Sequence, residues 1–286
     1  MSRAGAPERL SGAARSAALY GAAARRVLRR EGLRDLRRRV AAREERLVFV
    51  VGSPRSGTTF LGSAIGSMQG FVDLTEVTPL KAAIPELAGV PEDEAARRIR
   101  RILERVRRLA LVRGLRGVEQ TPETAFVLAA ALRAYPEARA VHLVRDGRDV
   151  VCSLLEKGWL AAGREGGDDA RLSYGARARF WVEPGRHTEF EGASDATRAA
   201  WAWRSYVSAA RAAGGGRTLE VRYERLVSEP DAVAAEIAAH LGIDPAPLAT
   251  ALGSAHDRSV GRHAGDLTAE QLADVEREAG VLLRGL

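Results

Sequence analysis

Apolar and polar positions fall into alternating blocks along this chain. Leu47 to Val51 is wholly apolar and ends at Gly52, the pattern of a buried parallel strand rather than of a helix. A glycine-rich turn follows, and then a helix over Thr58 to Met68. Helical spacing of apolar positions predicts further helices over 79–88, 92–112, 123–134, 149–160, 196–213, 229–241 and 268–283. Short runs at 116–119, 139–144 and 218–222 predict strands. Strands that alternate with helices imply an α/β fold whose central sheet is mainly parallel and covered on both faces.

Two stretches stand apart from that rhythm. Pro7 to Arg46 is rich in Ala, Arg and Leu, with Leu19, Val27, Leu28, Leu33, Leu36 and Val40 at roughly helical spacing. It predicts one or two helices, so 1–46 reads as a basic helical N-terminal extension and 47–286 as the main domain. Residues 161–195 are Gly-rich and mixed in charge, with Phe180, Trp181 and Phe190 interspersed. Segments of that length are typically lids or variable surface loops.

Composition narrows the class. The chain has 286 residues, 46% of them hydrophobic and 28% charged, enough to bury a full core. Its formal charge of +7 is unevenly placed: residues 1–46 hold 13 Arg against 5 acids, and the remainder is close to neutral. A neutral body excludes a nucleic-acid surface spread over the fold, so no nucleic-acid partner is expected. The basic segment reads either as a peripheral membrane contact or as a helix packed on its own domain with a solvated Arg face. One cysteine, Cys152, excludes an internal disulfide and a multi-cysteine zinc site, and a reducing cytoplasm is the expected compartment.

The chemistry starts after the first strand. Gly52-Ser53-Pro54-Arg55-Ser56-Gly57-Thr58-Thr59 is a tight loop leading into a helix N-terminus, where free amides and the helix dipole favour an anion. The glycine spacing is that of a P-loop, but Thr58 stands where the lysine would be, which removes the cation a kinase sets on its β- and γ-phosphates. Arg55 within the loop is the positive group instead. A second segment, Arg145 to Ser153, follows the strand Ala140 to Val144 and so sits at the carboxyl end of the sheet, where ligands of parallel sheets bind. An Arg and a Ser there suit a second phosphate, by fork and by hydroxyl.

Together these segments resemble the sulfotransferases that use 3′-phosphoadenosine 5′-phosphosulfate (PAPS). Further similarity lies in Glu119-Gln120-Thr121-Pro122, in Val221 to Val227, and in Ser259-Val260-Gly261-Arg262-His263. The resemblance implies a three-layer α/β/α fold with a P-loop-like site and transfer of a sulfuryl group from PAPS to an acceptor hydroxyl, or less favourably an amine, without a metal. It implies that Arg55, Ser56, Gly57, Thr58 and Thr59 hold the 5′-phosphosulfate and that Arg145 and Ser153 hold the 3′-phosphate. Arg262, with Gly261 and Arg258, would close over the nucleotide. The acceptor would be a small molecule, a glycan or a lipid, with 161–195 as its lid.

Two positions depart from the family pattern: Gln120 stands where a Lys is usual, and His263 where a Trp is common. The expected general base is Glu76, in Asp73-Leu74-Thr75-Glu76, with Glu119, His142, His187 and His263 as alternatives. His142 lies inside an apolar strand and reads as a core histidine, as Trp201 and Trp203 read as core tryptophans. Trp159 and Trp181 flank or enter the long loop. The competing readings are a nucleotide-dependent phosphotransferase and a non-enzymatic nucleotide-binding or membrane-peripheral module.

Overall fold

A computed structural model describes residues 6–32, 36–39, 42–161 and 179–286. Five strands, β1 (Val48–Val51), β2 (Phe71–Thr75), β3 (Arg116–Glu119), β4 (Arg139–Val144) and β5 (Thr218–Arg222), form one sheet in the order β2-β3-β1-β4-β5. Every pairing is parallel. A parallel sheet must be covered on both faces, and the period-2 alternation of its strands shows how that happens here. Phe49 and Val51 of β1 enter one core, with Val72 and Leu74 of β2, while Val48 and Val50 enter another, with Val141 and Leu143 of β4. The first core is closed by the helices Thr78–Leu87, Glu92–Leu109 and Leu128–Ala134, and the second by Thr58–Gly66, Pro230–Leu241 and Pro245–Leu252.

A third cluster packs the helix Gly147–Lys157 against Asp195–Ala212 and Ala269–Leu283. Trp201 and Trp203 are buried at its centre, and Phe190 meets Trp201 edge-on with ring centroids 5.5 Å apart. Within the segment expected as a lid, residues 179–195 include the short helix His187–Gly192, which sets Phe190 into that cluster. Residues 162–178 lie outside the described residues.

Most element positions follow the apolar pattern within two or three residues. β2 was not predicted: its sequence, Phe-Val-Asp-Leu-Thr, carries a buried Asp73 that breaks the apolar run. The helix predicted over 123–134 is a 3₁₀ turn, Pro122–Val127, followed by a helix over Leu128–Ala134. In the N-terminal segment, the helix Ala6–Glu31 buries Ala23, Ala24 and Val27 in the core that holds Phe49 and Val51. Its Arg30 pairs with Asp73 at 2.7 Å. Among the described residues, no helix is long and apolar enough to cross a membrane.

Candidate functional site

The turn after β1 is shaped by two close approaches. A Cβ on Gly52 would stand 2.4 Å from the carbonyl oxygen of Leu143, so only glycine lets the loop leave the sheet against β4. A Cβ on Gly57 would stand 2.9 Å from the ring of Tyr223, and Gly57 holds φ at 94°. Arg55 takes φ 73°, and the Ser56 amide donates to the Ser53 carbonyl at 3.1 Å. The chain therefore curls tightly and enters the helix Thr58–Gly66 with a glycine N-cap and no side-chain acceptor. The first-turn amides of Thr58, Thr59 and Phe60 have no partner within the helix, the arrangement that binds an anion.

The second segment meets this loop from across 90 residues. Arg145 follows β4 directly, and Asp146 caps the helix Gly147–Lys157 by accepting from the Arg148 amide at 2.9 Å. One Arg145 Nη donates to the Arg55 carbonyl at 3.2 Å and the other to the Ser259 carbonyl, and its guanidinium lies 5.0 Å from the centroid of Tyr223. Arg55 Nε donates to Ser153 Oγ at 2.9 Å. The result is a cleft of about 400 Å³ lined by Arg55, Thr58, Thr59, Arg145, Ser153 and Arg262 among others. Two buried polar atoms, Arg145 Nε and Ser56 Oγ, have no partner. A buried donor without a partner costs about 1–3 kcal/mol, so a phosphate oxygen offered to Arg145 would be favoured.

The C-terminal loop closes on the same helix. Asp149, fully buried, accepts from the Gly261 amide at 2.8 Å, from the His263 amide at 3.1 Å, and contacts His263 Nδ1 at 2.7 Å. The expected stacking tryptophan is thus replaced by a histidine that fastens the loop from below. Arg262 pairs with Glu156 and, through Nε, with Asp266 at 2.6 Å. Donation from Arg262 to Glu156 raises the Arg262 pKa and holds the Glu156 carboxyl below its ordinary range. Arg258 is exposed and does not line the cleft.

Glu76 follows β2 at the carboxyl end of the sheet but lies outside the lining of this cleft. Its carboxylate meets Lys81 Nζ at 2.8 Å, and Lys81 also approaches Glu123 at 3.5 Å. Glu119 is completely buried at the end of β3 and accepts from the Thr121 amide and the Thr124 hydroxyl. Burial pushes its pKa up to about 7, against the lowering effect of those bonds. Gln120 is buried too, donating to Asp73 Oδ1 at 2.9 Å. His142 is buried and bonds Glu220 at 3.1 Å, as a core histidine does, and His187 is exposed. Trp159 stands 5.8 Å from the Arg55 guanidinium. Among the described residues, no group of three or more His, Cys, Asp or Glu has metal-holding geometry.

Of the expected residues, then, the structure gathers Arg55, Gly57, Thr58, Thr59, Arg145, Ser153 and Arg262 around one cleft, while Gly261 lies outside the lining with its amide on Asp149. Ser56 is buried in the loop with its hydroxyl unpartnered and does not line the cleft. Tyr223, Asp149 and Glu156 are the residues that sequence reasoning passed over. Asp149 and Glu156 fall four residues before and three after Ser153, which puts them on Ser153's face of the helix and was the available signal. Nothing local in Tyr223 announces contact with Gly57.

A sequence model of the sulfotransferase family matches residues 92–247. No curated protein matches the chain. Among solved structures, the chain is similar to a sulfotransferase domain from the curacin biosynthetic pathway, at 15% identity over 79% of this chain and 84% of that one, with a TM-score of 0.49. It is also similar to sulfotransferase STF9 from Mycobacterium avium, at 15% identity over 92% and 81%, TM-score 0.49. Mouse sulfotransferase SULT7A1 complexed with PAP matches at 15% identity over 85% and 89%, TM-score 0.48.

Proposed function

The chain belongs to the sulfotransferase family, and from that premise we propose that it moves a sulfuryl group from PAPS to an acceptor hydroxyl on a small molecule, a glycan or a lipid. The observation that carries the nucleotide half of this reading is the meeting of Arg55 with Ser153 at 2.9 Å and of Arg145 with the Arg55 carbonyl at 3.2 Å. Two anion-holding elements, remote in sequence, share one cleft. That suits a ligand with phosphates at both ends, such as a 3′,5′-bisphosphorylated adenosine.

In this reading the amides of Thr58, Thr59 and Phe60, with Arg55 and the hydroxyls of Ser56, Thr58 and Thr59, hold the 5′-phosphosulfate. Arg145 and Ser153 hold the 3′-phosphate. Transfer forms a bond from the acceptor oxygen to sulfur as the bond from sulfur to the 5′-phosphate oxygen breaks, with charge growing on that leaving oxygen. Arg55 and the loop amides are preorganised for that charge, an effect whose loss costs about 10² to 10³ in rate per donor. The acceptor proton goes to Glu76, oriented by Lys81 at 2.8 Å. Gln120 brings no charge to this edge, so Arg55 is the cation nearest the transferred group in our reading, and Lys81 serves the base.

The test is thermal unfolding with adenosine 3′,5′-bisphosphate and, separately, with ATP and Mg²⁺, in wild type and in Arg145→Ala. At 100 times its dissociation constant a ligand stabilises the fold by about 2.7 kcal/mol. The expected result is stabilisation by the bisphosphate that Arg145→Ala loses, followed by sulfuryl transfer from PAPS in an acceptor screen. Stabilisation by ATP and Mg²⁺ alone would overturn the assignment in favour of a phosphotransferase.

A further inference from the structure

The helix Gly147–Lys157 presents two acidic residues to the C-terminal loop, and they are bound in opposite ways. Asp149, 1% exposed, grips backbone amides of Gly261 and His263, so the main chain of the loop is anchored in the protein interior. Glu156 has a side chain 59% exposed and holds the two terminal guanidinium nitrogens of Arg262, whose Nε stays on Asp266 at 2.6 Å. Among the described residues lining the cleft, Glu156 is the one carboxylate, set with Arg55, Arg145 and Arg262. A carboxylate at the rim of a site built for phosphates repels the ligand and, here, occupies a cation that the ligand could use.

We propose that Glu156 is a positioning residue that keeps Arg262 latched while the cleft is empty and yields it when a nucleotide phosphate arrives. The loop backbone need not move for this exchange, because Asp149 holds it in both states; one side chain changes partner. The partner given up is an exposed ion pair, which contributes little, so the exchange needs no large driving force. Its consequence is a bisphosphate product held less tightly than the three arginines alone would hold it, which favours turnover over retention. The inference rests on the bisphosphate reading of the cleft given above.

The test is isothermal titration of adenosine 3′,5′-bisphosphate into wild type, Glu156→Gln, Arg262→Ala and the double variant. Glu156→Gln is expected to bind about two- to fivefold more tightly than wild type, the range an exposed pair supports. A gain in affinity cannot come from misfolding. The gain should shrink in the Arg262→Ala background, where no latched cation remains to release. Unchanged or weaker binding by Glu156→Gln, beside a wild type that binds, overturns the latch and leaves the nucleotide reading standing. An equal gain in both backgrounds also overturns it, since repulsion by Glu156 would then explain everything. A wild type that binds no bisphosphate overturns both readings together.

Discussion

Gly57→Ala tests the construction of the anion loop at its tightest point. Gly57 lies at φ 94° and serves as N-cap of the helix Thr58–Gly66, and a Cβ there would meet two ring carbons of Tyr223 at 2.9 Å. An L-residue in left-handed backbone costs about 1–2 kcal/mol. Forcing a methyl against a packed ring costs about 1–3 kcal/mol more. A combined loss of about 2–5 kcal/mol corresponds to a fall in Tm of roughly 5–15 °C for a domain of this size. The ring cannot move freely, because Tyr223 stands 5.0 Å from the Arg145 guanidinium and its hydroxyl donates to the His256 carbonyl at 3.2 Å. Displacing it disturbs both halves of the cleft.

The assay is a double-mutant cycle with Tyr223→Leu, read by thermal unfolding and by bisphosphate titration. Contacting residues couple, so the double variant should lose about 1–3 kcal/mol less than the two single losses added. Bisphosphate affinity should stay low in the double variant, because the strained φ still misaims the Thr58 and Thr59 amides. Strict additivity, or a Gly57→Ala protein with wild-type Tm and affinity, would refute the reasoning.

Arg145→Lys keeps the charge but removes the fork that spans the Arg55 and Ser259 carbonyls; bisphosphate affinity should fall about tenfold or more in titration, and an unchanged affinity would exclude Arg145 from the phosphate site. Glu76→Gln should lower kcat by about 10² to 10⁴ with little change in KM for PAPS; a kcat within a factor of two or so of wild type would remove Glu76 from proton transfer. Glu119 predicts a pH effect on stability. Its folded pKa of about 7 lies above the unfolded value of 4.5, so the folded state keeps a proton that the unfolded state has released, and stability falls as pH rises across that interval. Urea unfolding of wild type against Glu119→Gln should show a difference that shrinks by about 3 kcal/mol from below pH 4.5 to above pH 7, and a difference independent of pH would show that folding leaves the Glu119 pKa at its unfolded value.

Much of this protein is legible in local pattern. An apolar run followed by a glycine turn and a helix start can fold in few other ways, because sheet burial and helix-end amides are set by backbone geometry within a dozen residues. Hence β1, the loop of Arg55 to Thr59, and the pair Arg145 and Ser153 on a strand end and its following helix could all be placed from the chain alone. β2 escaped because Asp73, which reads as a surface residue, is buried where Arg30, Ser63, Gln120 and the Thr75 amide satisfy it from four separate places in the chain. Composition left the basic N-terminus either packed on its own domain or on a membrane surface, and only packing shows Val27 in the central core with Arg30 reaching Asp73. Tertiary structure alone set Arg55 on Ser153, 98 residues away, Tyr223 beneath Gly57, and Arg262 in the hold of Glu156. Those pairings depend on strand order and on which helix faces meet, and no periodicity along one chain encodes a distance between segments that the sheet brings side by side.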